Sequence, residues 1–289
     1  MKFLKLACSI AGRLAIASLA AAPFAALAQV DAGPYVPSPS VIVDEMLKLG
    51  AIRGDDYLID LGSGDGRIPI TAAQRFGARG FGVDIKPELV KLANDNAARA
   101  GVADKVRFER RDLFETNLSD ATVVTLYLLP HIVVKLVPKI LAEMKPGARV
   151  VSHDYPLAPW TPDRFVQFEA PEKEAISGTT RTVLYLYTVP APVEGEWRLE
   201  LPPGVTKQPA RLALTQHPVG TKGSVTVGRR VITLDEVKVT GEGVRLSIPG
   251  LGAGGKPLVL EGKARGNVME GTSLSPGAPA AWRATRLNR

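Results

Sequence analysis

Apolar positions along the chain follow two different rhythms, and the change between them divides it in two. From residue 40 to residue 189, short continuous apolar runs alternate with longer stretches of helical spacing. Ser40, a good N-cap, precedes Val41, Met46, Leu47 and Leu49 near helical spacing, and Gly50 ends that helix. Strands are expected at Tyr57–Leu61, Gly80–Asp84, Lys105–Arg110, Thr122–Leu128 and Arg149–His153. Helices are expected at Ile68–Phe76, Pro87–Ala100 and within Ile132–Met144, the last broken or kinked by Pro138. Strands near Phe165–Phe168 and Arg181–Val189 complete the set. Continuous apolar strands alternating with helices imply an α/β fold: a seven-stranded, mostly parallel sheet with helices on both faces.

The rhythm changes at Val189-Pro-Ala-Pro192. Short β-branched runs between turn signals follow at Arg211–Thr215, Ser224–Val227, Val231–Leu234, Val237–Thr240, Val244–Ile248 and Leu258–Leu260. This predicts a small all-β domain, an antiparallel barrel or sandwich, over residues 190–289. At the other end, Lys2, Lys5 and Arg13 precede an apolar stretch closed by Ala26-Leu27-Ala28, the pattern of a cleavable signal peptide over residues 1–28. The expected catalytic domain is then 29–189, and the expected destination is periplasmic or membrane-associated, with an uncleaved anchor or cytoplasmic retention as alternatives.

Composition narrows the chemistry. The lone cysteine, Cys8, lies in the leader, so disulfides and thiolate chemistry are excluded from the rest of the chain. His131, His153 and His217 show no paired metal-ligand spacing, and no metal is expected. Of the formal net charge of +7, residues 29–189 carry −2 and residues 190–289 carry +6. The basic balance therefore belongs to the β region, where it suits an anionic surface such as a membrane face or an acidic protein. With only Trp197 and Trp282 as aromatics there, stacking platforms for nucleic acid are nearly absent, and none is expected to bind.

The strongest chemical signal is Ile59-Asp60-Leu61-Gly62-Ser63-Gly64-Asp65-Gly66-Arg67, a strand that turns on glycines into a helix. Glycines permit positive φ and close approach of a ligand to the backbone. Dinucleotide sites need G-x-G-x-x-G, because the pyrophosphate sits on the helix end. Here Arg67 stands where that pattern wants its third glycine, and Asp60 would repel a pyrophosphate. A cationic ligand with an amino group fits better. The spacing resembles the first motif of class I, Rossmann-like methyltransferases, which implies S-adenosyl-L-methionine as cofactor. In that family the residue corresponding to Asp60 faces the methionine end, beside Gly62, Ser63, Gly64, Gly66 and Arg67. The resemblance places Asp84, with Ile85 beside it, on the ribose hydroxyls. It places Asp112 on the adenine amino group, with Leu113 against the ring.

Pro34-Tyr-Val-Pro-Ser-Pro39, Leu126-Tyr-Leu-Leu-Pro130 and Val151-Ser-His-Asp154 narrow the likeness. Together they resemble the lysine N-methyltransferases acting on the ATP synthase c subunit and the adenine nucleotide translocase, and their bacterial exported relatives. The resemblance covers residues 34–160. It implies methyl transfer to a nitrogen, a protein lysine amine, with membrane-associated proteins among the candidate acceptors. A small-molecule methyltransferase and an exported binding protein that has lost catalysis are the alternatives. The fourth strand lacks the Asn/Asp-Pro-Pro-aromatic ending of base-amino methylases. Tyr127 either walls the transferred methyl or packs in the core. A lysine must lose a proton, which near neutrality costs roughly 4 kcal/mol from a pKa of ~10.4. His153 or Asp154 is the candidate base, and the two also suit a strand-end hydrogen-bonding pair. Tyr35–Pro39 is expected to fold over the cofactor as a lid. The β region is expected to select or tether a partner and to carry no chemistry.

Overall fold

The computed structural model describes residues 35–274 and 279–287; the expected signal peptide lies outside the described residues. All of the described residues belong to one compact unit built on two sheets.

The first sheet is assembled from α1 (Ser40–Leu49), β1 (Tyr57–Leu61), α2 (Arg67–Phe76), β2 (Arg79–Asp84), α3 (Pro87–Arg99), β3 (Val106–Arg110), β4 (Val123–Leu126), α4 (Pro130–Glu143), β5 (Arg149–His153), β6 (Arg164–Glu169), α5 (Pro171–Ser177) and β7 (Arg181–Thr188). Its strand order is β3-β2-β1-β4-β5-β7-β6. The first five strands pair in parallel, whereas β7 runs antiparallel to both β5 and β6. The sheet is therefore mixed. The short α5 returns the chain beside β6 too quickly for a parallel crossover. The central strands β1, β4 and β5 are buried almost throughout, as strands flanked on both sides by partners must be.

Two local expectations fail for identifiable reasons. Ser40 is the first helical residue of α1 and Pro39 takes the cap position, with no side-chain cap bond; proline's fixed φ sets the entry direction instead. Pro138 does not break α4, which continues through it to Glu143. Ile132, Val133, Leu136, Val137 and Ile140 form a continuous buried stripe whose packing outweighs the lost hydrogen bond.

The second sheet contains β8 (Gly195–Glu200), β9 (Ala210–His217), β10 (Gly220–Val227), β11 (Arg230–Thr233), β12 (Glu236–Thr240), β13 (Gly243–Ile248), β14 (Leu258–Arg265), β15 (Val268–Ser273) and β16 (Ala281–Arg286). Every pairing is antiparallel, and β8 joins β16 in the middle of the order β11-β10-β9-β8-β16-β15-β14-β13-β12. The two edge strands are sequence neighbours, joined only by Leu234 and Asp235, and β12 packs beside β10. The sheet thus curls on itself as one continuous, barrel-like antiparallel sheet. Trp197, Leu212, Leu246, Leu260 and Met269 fill its interior.

The barrel meets the first sheet where Thr161 N–H donates to Pro218 O (3.4 Å) and where Gly241 packs against Gly147, whose own N–H donates to Val189 O (2.9 Å). Gly147 and Thr161 precede β5 and β6, and Val189 follows the antiparallel β7. This is the edge of the sheet opposite the carboxyl ends of β1, β2 and β4.

Candidate active site

The carboxyl ends of β1, β2 and β4 open onto a cleft. Parallel strands gather ligands at this edge. One wall is the β1–α2 loop. Gly62, Gly64 and Gly66 all take positive φ (79°, 54° and 80°), a region side chains rarely occupy. A Cβ on Gly64 would fall 2.4 Å from the Tyr35 ring, which lies across the loop. Gly66 turns the chain into α2 against Phe108 and does not line the cleft.

Asp60 ends β1 as a buried carboxylate, and Thr125 on β4 donates its hydroxyl to Oδ1 at 2.6 Å. Burial pushes the Asp60 carboxyl up to about 7, against the opposing pull of Thr125. Asp84 ends β2 and lines the cleft. Its Oδ2 accepts Gly64 N–H (3.1 Å) and its Oδ1 accepts Lys86 N–H (3.0 Å), which aims the carboxylate. Ile85 forms the adjoining wall.

Arg67 reaches the cleft rim but is engaged by the protein. Its Nε and Nη2 donate to Asp65 at 2.9 and 2.7 Å, and its Nη1 donates to Ser38 O at 2.7 Å. Burial raises the Asp65 carboxyl, but the Arg67 guanidinium outweighs it and holds the group below the usual carboxylate range. The pair pins the entry segment, so Tyr35, Val36, Pro37 and Ser38 roof the cleft where a lid was expected.

Asp112 and Leu113 stand back from the cleft. Asp112 accepts Phe114 N–H (2.8 Å) and caps a single 3-10 turn, and Leu113 is buried. Tyr127 lines the cleft where β4 ends, but His153 and Asp154 do not. His153 is buried behind Tyr127, the rings stacked with centroids 3.9 Å apart. Burial, opposed by Asp154 and aided by Lys173, pushes the imidazole down to about 4, so it is neutral. Asp154, at a left-handed φ of 62°, is bound by Lys173 Nζ at 2.5 Å. The Tyr127 ring thus stands between His153 and the cleft, and Asp154 is engaged by Lys173. No sequence signal marks Thr125, Lys86 or Leu128, since only strand register and loop course bring them to Asp60, Asp84 and Gly62.

The donors fit S-adenosylmethionine. Asp60 offers a carboxylate to an ammonium, Asp84 a carboxylate to a diol, and the bare loop accepts a chain where a side chain would collide. Ser63 Oγ is buried and unpartnered, a polar atom left for a ligand.

The comparisons with known proteins agree. Residues 60–164 match the family model described as the ANTKMT methyltransferase domain. A protein-lysine N-methyltransferase of Saccharolobus islandicus is 38% identical over 157 residues, 54% of this chain and 93% of that protein. The mouse adenine nucleotide translocase lysine N-methyltransferase is 41% identical over 131 residues, 45% of this chain and 56% of the relative. The chain thus spans about half the length of that relative. A crystal structure of a Salinibacter ruber protein, titled an RNA methyltransferase in complex with S-adenosyl-L-homocysteine, is 49% identical. It covers 55% of this chain and 96% of that one, with a TM-score of 0.50. The chain is therefore an S-adenosylmethionine-dependent methyltransferase and belongs to the protein-lysine N-methyltransferase family.

Proposed function

We propose that this enzyme methylates the side-chain amine of a lysine in a protein acceptor associated with a membrane. The observation that carries the reading is Tyr127. Its ring forms the cleft wall at the end of β4, two residues beyond Thr125, which holds Asp60. His153 covers one face of the ring, and the side turned to the cleft is left to attract the sulfonium and to line the path of an incoming lysine stem. S-adenosylmethionine supplies an electrophilic methyl group; the chain orients and dries the site. Asp60 and Asp84 orient the methionine and ribose ends, and the roof from Tyr35 to Ser38 excludes water.

With His153 buried behind Tyr127 and Asp154 ion-paired to Lys173, neither is assigned the role of base in this reading. The lysine proton therefore leaves to solvent before the amine enters, and the rate rises with pH towards the lysine's own pKa. The +6 balance of residues 190–289 supports attraction of an anionic membrane face, the role we assign to the barrel. The expected export of the chain stands beside this reading as a proposal that cell fractionation tests.

Incubation with radiolabelled S-adenosylmethionine and total membrane protein should label protein, and hydrolysis should release methyl-lysine. Label lost to nuclease but not to protease would favour the RNA activity named for the Salinibacter relative.

A further inference from the structure

His153 is a buried titratable group that touches no substrate, yet three elements converge on it. Ser38, from the roof of the cleft, places its Oγ 3.0 Å from Nδ1, although 115 residues separate the two. Tyr127 stacks on the imidazole with an interplanar angle of 30°. Asp154 Oδ2 lies 3.5 Å from Nε2, a nitrogen with no hydrogen-bond partner. Asp154 is itself fixed. Lys173 Nζ holds Oδ2, and Val183 N–H reaches Oδ1 at 3.2 Å. Its left-handed φ is the kind of strain a structure keeps only where surrounding contacts over-determine it.

A neutral imidazole carries one proton, and the surroundings choose its place. With the proton on Nδ1, the lone pair of Nε2 would face the Asp154 carboxylate. With the proton on Nε2, that N–H points at the carboxylate, and Nδ1 is free to accept the Ser38 hydroxyl. Asp154, neutralised by Lys173 and 3.5 Å from Nε2, biases the imidazole towards the second arrangement, and the Ser38 donor on Nδ1 completes it. Ser38 is in turn fastened, because Arg67 donates to its carbonyl.

We propose that Ser38 and His153 are positioning residues: the roof, once seated, donates from Ser38 to Nδ1, fixes the Nε2–H tautomer, and holds the Tyr127 ring flat at the methyl-transfer end of the cleft. This rests on the assignment of Tyr127 to the transfer site. It joins the entry segment to the reacting end of the cleft through one side chain.

The test has two readouts. The chain has three histidines, so nitrogen-15 spectra of labelled protein resolve them, and variants lacking His131 or His217 assign the third. Wild-type His153 should show the Nε2–H tautomer, and Ser38→Ala should lose it. In the same variant, labelling of total membrane protein at saturating cofactor should fall on the order of 10- to 100-fold, the scale of a misplaced reacting group. Calorimetric affinity for S-adenosylhomocysteine should fall far less than the rate, since Asp60 and Asp84 keep their contacts. Ser38→Thr, which keeps the hydroxyl, should restore both tautomer and rate. An Nδ1–H tautomer in the wild type, an unchanged rate in Ser38→Ala, or a parallel loss of rate and affinity would each overturn the proposal. A wild type that labels no protein overturns the lysine-acceptor reading alone, and the tautomer with its dependence on Ser38 then decides for or against the relay.

Discussion

The two sheets treat their polar groups in opposite ways. At the carboxyl edge of the first, Asp60 is a buried carboxylate held by one hydroxyl, Ser63 Oγ and His153 Nε2 are buried without partners, and Asp154 sits in a strained conformation. In the curled sheet, both indole N–H groups are satisfied: Trp197 donates to Val193 O at 3.0 Å and Trp282 to Glu261 O at 2.9 Å. Its salt bridges run across the outer surface, as between Arg283 and Glu270 or Arg245 and Glu261. Unmet hydrogen bonds and buried charge oppose folding, so they persist where a ligand or a reaction uses them. The first sheet carries chemistry; the second is built to stay folded.

The largest effect that could break this comparison is in the barrel. Trp197 is fully buried, and Trp197→Ala should cost about 3–5 kcal/mol in denaturant titration. Among the described residues none of the barrel lines the cleft, so affinity of the folded variant for S-adenosylhomocysteine should remain that of the wild type. A matching loss of affinity would show that the barrel shapes the cleft from the far edge.

The converse substitution, Asp84→Ala, removes a carboxylate that orders two backbone N–H groups and is aimed at a ribose. Hydrogen bonds to a charged group contribute about 1.5–3 kcal/mol each, so calorimetry should record a cofactor affinity at least tenfold weaker. Wild-type affinity in this variant would remove the ribose site from Asp84.

The sequence exposed the first sheet better than the second, for a physical reason. Continuous apolar runs with glycine turns between them mark buried parallel strands plainly, and β5 is found at the predicted residues, Arg149–His153. In the barrel, β8, β15 and β16 escaped notice. In β8 the apolar signal reduces to Trp197 and Leu199 between charged residues. In β15 the ladder sets Gly271 against Gly262, where backbones approach so closely that a Cβ on Gly271 would meet Glu261 O, and Trp282 of β16 covers the gap. Glycine in a strand reads as a turn until its partner is known. In the site, the glycine loop, Asp60 and Asp84 were legible because one short segment or one strand end carries each. The burial of His153 was not, because it depends on Ser38, Tyr127 and Lys173 arriving from three other elements.

Asp60 sharpens the comparison through pH. Its folded pKa, about 7, lies above the ordinary value of 3.8. The native state therefore holds this proton longer than the unfolded chain does, and the group's contribution to stability falls as pH rises between those values. Cofactor binding runs the other way, since only the ionised carboxylate attracts the ammonium. Affinity for S-adenosylhomocysteine should tighten about tenfold from pH 6 to pH 8, following the ionised fraction. Asp60→Asn should bind weakly and without that slope. A wild-type affinity that is flat across this range would remove Asp60 from the ammonium site.

The smallest expected effect lies on the barrel surface. Arg198 on β8 and Arg211 on β9 face each other across the ladder, both exposed, with no salt bridge to either among the described residues. Like charges directly opposite destabilise a sheet, so Arg211→Glu should raise stability by about 0.2–1 kcal/mol through a new cross-strand pair. Thermal denaturation reads that gain. A sheet built only to stay folded has no use for the repulsion. If the arginine pair serves an anionic membrane face, the variant gains stability yet binds vesicles containing anionic lipid more weakly than wild type, and the salt dependence of binding becomes shallower. Stability that rises while vesicle binding is unchanged would take these two arginines out of the membrane contact and leave the barrel as scaffold at this face.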